Sequence, residues 1–200
     1  MDIKLCPVGG YSEVGKNMTA IKAGDDAVIL DMGFHLPSLV KYDESGHSRR
    51  NLSPAQMIKL GIIPDHKLIN SWKSSVKAIA CSHAHFDHVG AVPYLSNEFK
   101  APILGTHFTT EFLKAVARDE RLQLKNPVKQ INTSSSYKVS KDMKIEFITT
   151  THSTPQSAMI AVHTKKGVIL YTNDFKFDNH PVIGKKPNYD QTSIDEAALR

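Results

Sequence analysis

The chain has 200 residues, of which 40% are hydrophobic and 22% charged, and its formal net charge is +5. This length and composition indicate one sizeable globular domain and exclude a disordered chain. No apolar run reaches the roughly 18 residues of a membrane span, and the start, with Asp2, lacks the pattern of a secretory signal. Two cysteines are too few for a disulfide framework, so we expect a cytoplasmic protein.

Along the first half of the chain, apolar runs alternate with helix-type patterns. The polar segment 34–51, with Pro37 and Gly46, predicts a loop. Ser53 and Pro54 together form a helix-start signal. The predicted strands are residues 3–8, 17–23, 26–33, 76–82 and 101–106, and the predicted helices are residues 52–62, 88–99 and 107–124. The longest helix is predicted to bury one face, made of Phe108, Phe112, Ala115 and Val116.

The second half reads mostly as strands. A turn at residues 165–167 makes the last two of them a hairpin. The predicted strands are residues 129–132, 137–140, 143–150, 157–164 and 167–174. Strands alternating with helices, followed by a run of strands, predict a mixed α/β fold arranged as an α+β sandwich.

The segment CSHAHFDHVG, residues 81–90, contains three histidines and an aspartate within six positions. His83 and His85 lie two apart at a strand exit and therefore face the same side, and Asp87 and His88 follow where a helix begins. A helix cap at Asp87 would leave the histidines unexplained. Two pairs of ligand-type side chains in one short loop suit two adjacent metal ions better than one tetrahedral ion.

Three other chemistry-bearing residues also stand at predicted strand ends. His152 and Asp174 are candidates for further metal ligands, although a single strand-end residue is more often a cap or turn residue. Asp31 is better explained as the partner that orients a ligand histidine. Cys81 precedes the motif in a buried strand and is expected to be a packed thiol.

The order His83-x-His85-x-Asp87-His88, His152, Asp174 resembles that of the metallo-β-lactamase fold. VGGYSEVGKNMTAI at residues 8–21, THSTPQSA at 151–158 and YTNDFKFD at 171–178 resemble the β-CASP ribonucleases, in particular archaeal-type ribonuclease J. The resemblance implies a zinc-dependent ribonuclease that degrades RNA from the 5′ end and also cuts internally. Mn²⁺ is the alternative ion for such a donor set. The resemblance implies RNA and a second copy of the full-length protein as partners, and it implies no association with a membrane.

The resemblance also assigns a role to individual residues. It implies one zinc on His83, His85 and His152, a second on Asp87 and His88, and Asp174 between the two ions. Asp87 would in addition hold the nucleophile or accept its proton. The implied substrate contacts are Ser153, Lys16 and Asn17.

The chain departs from the family in length. From the resemblance we expect residues 1–190 to be the N-terminal part of a metallo-β-lactamase domain, residues 191–200 to be an unassigned tail, and the β-CASP domain and the later part of the fold to be absent from this chain. The second metal site is then one histidine short, so we expect this chain alone to be an incomplete fragment that is weakly active or inactive. Alternatives are a hydrolase of the same fold acting on tRNA 3′ ends, thioesters or lactones, and a non-catalytic metal-binding fragment.

Overall fold

The structure is a computed structural model that describes residues 2–46 and 48–192. His47 and most of the predicted tail, residues 193–200, lie outside the described residues. The described residues contain ten strands, and every predicted strand overlaps one of them. They are β1 Ile3–Gly9, β2 Met18–Ala23, β3 Asp26–Leu30, β4 Val76–Ala80, β5 Ile103–Gly105, β6 Val128–Gln130, β7 Ser135–Lys138, β8 Met143–Thr149, β9 Ala158–Thr164 and β10 Gly167–Tyr171.

The helices are mostly short. They are α1 Leu36–Glu44, α2 Pro54–Lys59, α3 Phe86–Val89, α4 Val92–Leu95, α5 His107–Asp119 and α6 Tyr189–Thr192, with 3₁₀ segments at Arg49–Asn51, His66–Ser75 and Ser96–Glu98. Ser53 and Gln56 form a capping box that starts α2 as predicted. Within the part of the chain that the structure describes, no helix combines the length and the apolar character needed to cross a membrane.

The strands form two sheets. The six-stranded sheet has the order β1-β2-β3-β4-β5-β6, antiparallel up to β3 and parallel from there on. The four-stranded sheet has the order β10-β9-β8-β7 and is antiparallel throughout. Because β3 and β4 are parallel, their carboxyl ends lie at the same edge. The same holds for β8 and β10, which both pair antiparallel with β9.

Apolar side chains from both sheets fill the space between them. This core includes Val28 and Leu30 of β3 and Phe147 and Ile160 of the second sheet, all buried. A second core lies on the other face of the six-stranded sheet, where the helices cover it. The architecture is therefore the mixed α/β sandwich that the order of elements predicted.

The predicted loop at residues 34–51 was wrong, because residues 36–44 form α1. Pro37 occupies the first turn of that helix, where a missing N–H costs no hydrogen bond. Gly46, with a φ of +81°, follows the end of the helix. The two residues that indicated a loop are the start and stop signals of a helix.

The predicted helix over residues 88–99 is interrupted. Its bonding breaks after α3, where the N–H of Ala91 donates to the carbonyl of Met32 at 2.9 Å. The face predicted for α5 was partly wrong: Phe108 and Ala115 are exposed, and the helix ends at Asp119. The buried face consists of Thr109, Thr110, Leu113, Val116 and Ala117.

Candidate metal centre

The candidate site lies where the carboxyl ends of four strands meet. Asp31 follows β3, the histidine motif follows β4, His152 follows β8 and Asp174 follows β10. Since the two sheets face each other, residues more than 100 positions apart reach one place. The sequence positions at strand ends thus become neighbours in space.

Backbone contacts fix the Asp31 loop against the histidine motif. The N–H groups of Met32 and Phe34 donate to the carbonyls of His88 and Phe86 at 2.7 and 2.9 Å. A Cβ at Gly33 would lie 1.6 Å from the Asp87 carbonyl oxygen, so only glycine permits this approach. Asp31 itself has a φ of +58°, the left-handed region that aspartate tolerates better than most residues.

Three imidazoles converge in one subsite, which we call the three-histidine subsite (His83, His85, His152). His85 Nδ1 lies 3.0 Å from His83 Nε2 and 3.2 Å from His152 Nε2. Asp174 Oδ2 is 3.6 Å from His152 Nε2. One donor atom from each of these four residues falls within 4.8 Å of the others.

The donor set fits a divalent cation. A single ring nitrogen of His85 cannot form two good hydrogen bonds in its plane, whereas one central cation can accept the lone pairs of all three nitrogens. Burial, followed by repulsion from His88, lowers the pKa of His83 to about 3. Burial, followed by repulsion from His85, also lowers the pKa of His152. Near neutral pH the rings of His83 and His152 are therefore in the uncharged form that binds a metal.

The adjacent aspartate subsite (Asp87, His88, Asp174) shares Asp174 with the first. His88 Nε2 lies 3.7 Å from Asp87 Oδ2 and 3.5 Å from Asp174 Oδ2. Burial is the largest influence on the pKa of His88 and lowers it, but the Asp31, Asp174 and Asp87 carboxylates outweigh it and raise that pKa to about 10. The three carboxylates therefore favour a positive charge at this subsite, as a bound cation would require.

Asp31 orients one histidine in each of the two subsites. It is fully buried, and its Oδ2 lies 2.7 Å from His88 Nδ1, so the opposite ring nitrogen is directed at the aspartate subsite. Asp31 also accepts hydrogen bonds from the Ser82 N–H and hydroxyl at 2.8 and 2.7 Å. The Ser82 hydroxyl in turn lies 3.0 Å from His83 Nδ1. One carboxylate therefore contacts a histidine of one subsite directly and a histidine of the other through Ser82.

Tyr171 completes the environment of Asp31. It is the first residue of the YTNDFKFD motif, but nothing in the sequence had linked it to Asp31. Its hydroxyl donates to Asp31 Oδ2 at 3.0 Å. Burial, followed by the neighbouring Asp31, raises the pKa of this tyrosine well above its usual value, which keeps it a donor. A strand-end tyrosine in an apolar run reads as core, so no pattern would have revealed this contact. Ser82 could have been noticed because it directly precedes His83.

The residues predicted to contact substrate lie around the centre in different settings. Ser153 is exposed, and its Oγ is 3.2 Å from His85 Nε2. Lys16 pairs with Glu13 at 2.8 Å. The Asn17 amide nitrogen donates to the Asp87 carbonyl at 3.0 Å and lies 3.1 Å from His88 Nε2. Cys81 is buried, as predicted, and burial raises the pKa of its thiol.

A family model described as the metallo-beta-lactamase superfamily matches residues 12–199, which is most of the chain. The chain belongs to the metallo-β-lactamase superfamily. This membership confirms the predicted fold, and the His/Asp cluster described above is able to bind a metal ion.

Among curated proteins, the chain is similar to proteins named Ribonuclease J. It is 40% identical over 190 residues to that of Methanocaldococcus jannaschii, covering 94% of this chain and 42% of the relative. It is 39% identical over 189 residues to that of Pyrococcus abyssi, covering 94% and 41%. A "Ribonuclease J 2" of Streptococcus pyogenes is 35% identical over 177 residues, covering 88% and 29%. The chain thus spans less than half the length of these relatives, and the predicted resemblance to ribonuclease J is confirmed.

Solved structures support the fold alone. A crystal structure of a protein of unknown function from Enterococcus faecalis V583 matches with a TM-score of 0.62 at 17% identity, covering 86% of this chain and 43% of that one. The metallo-beta-lactamase fold protein YhfI from Bacillus subtilis matches with a TM-score of 0.54 at 16% identity, covering 88% and 64%.

Proposed function

We propose that this chain supplies the metal-binding part of a zinc-dependent ribonuclease, a hydrolase that cleaves RNA phosphodiesters from the 5′ end and also internally. The observation that carries the proposal is the pair of clusters that share Asp174, within a chain 40% identical to Ribonuclease J of Methanocaldococcus jannaschii. Residues 1–190 are proposed to be the N-terminal part of the metallo-β-lactamase domain, which a β-CASP domain and the remaining fold complete in the whole protein. We further propose a cytoplasmic location and a homodimer of that whole protein.

His83, His85 and His152 are proposed to hold one zinc, Asp87 and His88 a second, and Asp174 to contact both. When bound, such ions lower the pKa of a water molecule toward neutrality and offset negative charge on a phosphate. Mn²⁺ fits the same imidazole and carboxylate donors. The chain's own contribution is to aim the donor atoms, which the Asp31 contacts to His88 and Ser82 support.

Asp87 is proposed to hold the attacking water and accept its proton. Its carboxylate stands beside His88 at 3.7 Å, and its own backbone carbonyl is engaged by Asn17, so the loop that carries it is fixed. Ser153, at the mouth of the site, is proposed to donate to a phosphate oxygen. Asn17 contacts Asp87 and His88, and Lys16 directly precedes it in the chain. We propose that both residues contact the RNA strand.

The test is a chimera in which residues 1–190 of this chain replace the matching segment of the Methanocaldococcus jannaschii relative. The chimera is expected to release nucleotides from 5′-phosphorylated RNA in the presence of zinc. A His152→Ala chimera should lose at least about 100-fold in rate, and His163→Ala, whose ring pairs with Glu146 away from the site, should retain it. A folded, zinc-loaded chimera that hydrolyses a lactone or thioester but not RNA would contradict the proposal.

A further inference from the structure

The net positive charge of the chain comes from one stretch of its sequence. Residues 121–173 contain eight basic and two acidic residues, a net charge of +6, whereas the whole chain has a net charge of +5. The remainder of the chain therefore has a net charge of −1. In the structure this stretch forms β6 and the whole four-stranded sheet, so the excess of positive charge belongs to one layer of the sandwich.

Two hairpin turns bring five lysines of this stretch to one end of the four-stranded sheet, although the sequence spaces them out. Because the sheet is antiparallel throughout, the turn between β7 and β8 and the turn between β9 and β10 lie at the same end. The seven-residue strand β8 leads from there to the metal centre, so at about 3.3 Å per residue the two turns lie roughly 20 Å from that centre. We call this region the basic end (Lys138, Lys141, Lys144, Lys165, Lys166).

A row of basic side chains crosses the outer face of the sheet at the basic end. Lys138 stands directly opposite Lys144, which in turn stands opposite His163. Their neighbours Ile145 and Val162 are buried between the two sheets, so the row faces away from that core. Like charges directly opposite one another destabilise a sheet. A bound anion would therefore stabilise the pair of facing lysines.

The carboxylates of this stretch offset only part of the charge. Asp142 Oδ1 lies 2.8 Å from Lys165 Nζ, and Glu146 Oε2 lies 4.0 Å from Lys144 Nζ. Across residues 2–46 and 48–192, the other three lysines of the basic end take part in no ion pair. All five lysines are exposed, so their ammonium groups are accessible to a partner.

The surroundings of these lysines suit a phosphate backbone better than a membrane. An open groove of about 500 Å³ is lined by four of the five lysines together with the hydroxyls of Ser136 and Ser140. None of the large apolar side chains that are exposed in the described part of the chain falls within residues 121–173. Basic surfaces that bind membranes combine their charge with apolar side chains that enter the lipid. Ammonium and hydroxyl donors alone are the groups that contact nucleic-acid phosphates.

We propose that the basic end binds the phosphate backbone of single-stranded RNA at a distance from the metal centre; the choice of RNA as the polyanion rests on the function proposed above. Lysines displace the counterions condensed on a nucleic acid, which supplies affinity without reading the bases. The basic end is thus a second RNA contact that holds a long strand whatever its sequence.

The test measures binding of fluorescein-labelled polyuridylate to the full chain in EDTA, by fluorescence anisotropy at increasing NaCl concentrations. The triple variant Lys138→Gln, Lys141→Gln, Lys144→Gln should bind at least about tenfold more weakly at low salt. Its plot of log affinity against log salt concentration should also be shallower by about 2, because each lysine–phosphate contact with a single strand contributes about 0.7 to the slope.

Two control variants separate the basic end from net charge and from folding. Lys41, Lys67 and Lys77 are exposed and lie outside the four-stranded sheet, so changing all three to glutamine lowers the net charge equally. That control should keep its affinity within about twofold and its salt slope unchanged. Arginine at the three basic-end positions keeps the charge and should restore binding. Urea unfolding verifies that every variant folds.

The proposal is overturned if the parent does not bind RNA, if the basic-end glutamine variant binds as the parent does, or if the control glutamine variant loses as much affinity. Sedimentation with phosphatidylserine vesicles, in the absence of RNA binding, would assign the surface to a membrane instead. Binding in EDTA also separates this proposal from the proposed function. If binding depends on the basic end but the chimera never cleaves RNA, the proposed function fails and the basic end remains an RNA-binding surface. If the chimera cleaves RNA and the basic-end variant binds normally, the basic-end assignment fails alone.

Discussion

The two subsites of the candidate metal centre are held together in different ways. In the three-histidine subsite the donor nitrogens face one another at 3.0 and 3.2 Å, and the Nδ1 atom of His152 is buried with no hydrogen-bond partner in the described part of the chain. In the aspartate subsite, a hydrogen bond between His88 Nδ1 and Asp31 Oδ2 holds the His88 ring in place. The difference teaches that the first subsite would need a bound cation to hold its geometry, whereas the second is preorganised by the fold.

The largest expected effect comes from removing the negative charge of the Asp31 carboxylate. Asn is isosteric with Asp and tolerates the left-handed backbone of Asp31, so Asp31→Asn isolates the loss of a charged acceptor. Because Asp31 is buried and accepts four hydrogen bonds, the variant should lose about 3 kcal/mol of unfolding free energy. Urea unfolding in EDTA measures this. Asp25→Asn, at an exposed position before β3, is the control. A loss of unfolding free energy below about 0.5 kcal/mol would mean that the Asp31 contacts do not stabilise the fold.

A smaller effect is expected on the three-histidine subsite from Ser82→Ala. The variant removes the hydroxyl that orients His83, while the N–H of Ser82 still donates to Asp31. Affinity for zinc should fall about tenfold, measured by competition with a chromophoric chelator. Ser96→Ala, which removes a buried hydroxyl that has no partner in the described residues, should leave affinity unchanged. Equal affinities in all three proteins would contradict the role of Ser82.

The smallest expected effect is that of Tyr171→Phe. One of the four hydrogen bonds to Asp31 is lost, and the other three remain. The free energy of unfolding should therefore fall by about 1 kcal/mol. Tyr137→Phe, which removes a hydroxyl that only accepts from exposed Lys129, is the matched control and should change little. If both variants have the same free energy of unfolding, the hydrogen bond from Tyr171 to Asp31 does not stabilise the fold.

What the sequence predicts well is local. One loop contains His83, His85, Asp87 and His88. The strands that precede His152 and Asp174 are recognisable from their apolar runs, so a site at the ends of strands could be inferred. Asp31 could be placed near the site for the same reason.

What the sequence could not predict depends on contacts between distant elements. The Tyr171 hydroxyl reaches Asp31 across 140 positions, a contact that forms only after the two sheets pack together. α1 was missed because proline and glycine mark loops and helix ends alike. The buried face of α5 was misplaced because two exposed positions, Phe108 and Ala115, are apolar.

The central claim is that the convergent histidines and aspartates bind a divalent cation. Metal content, measured by mass spectrometry on protein purified without added metal, tests it most directly, with the His83→Ala, His85→Ala double variant beside the parent. The account predicts near-stoichiometric zinc in the parent and its loss in the double variant, while a His163→Ala control keeps its metal. A parent that retains no divalent cation, or a double variant that retains as much as the parent, would contradict the account.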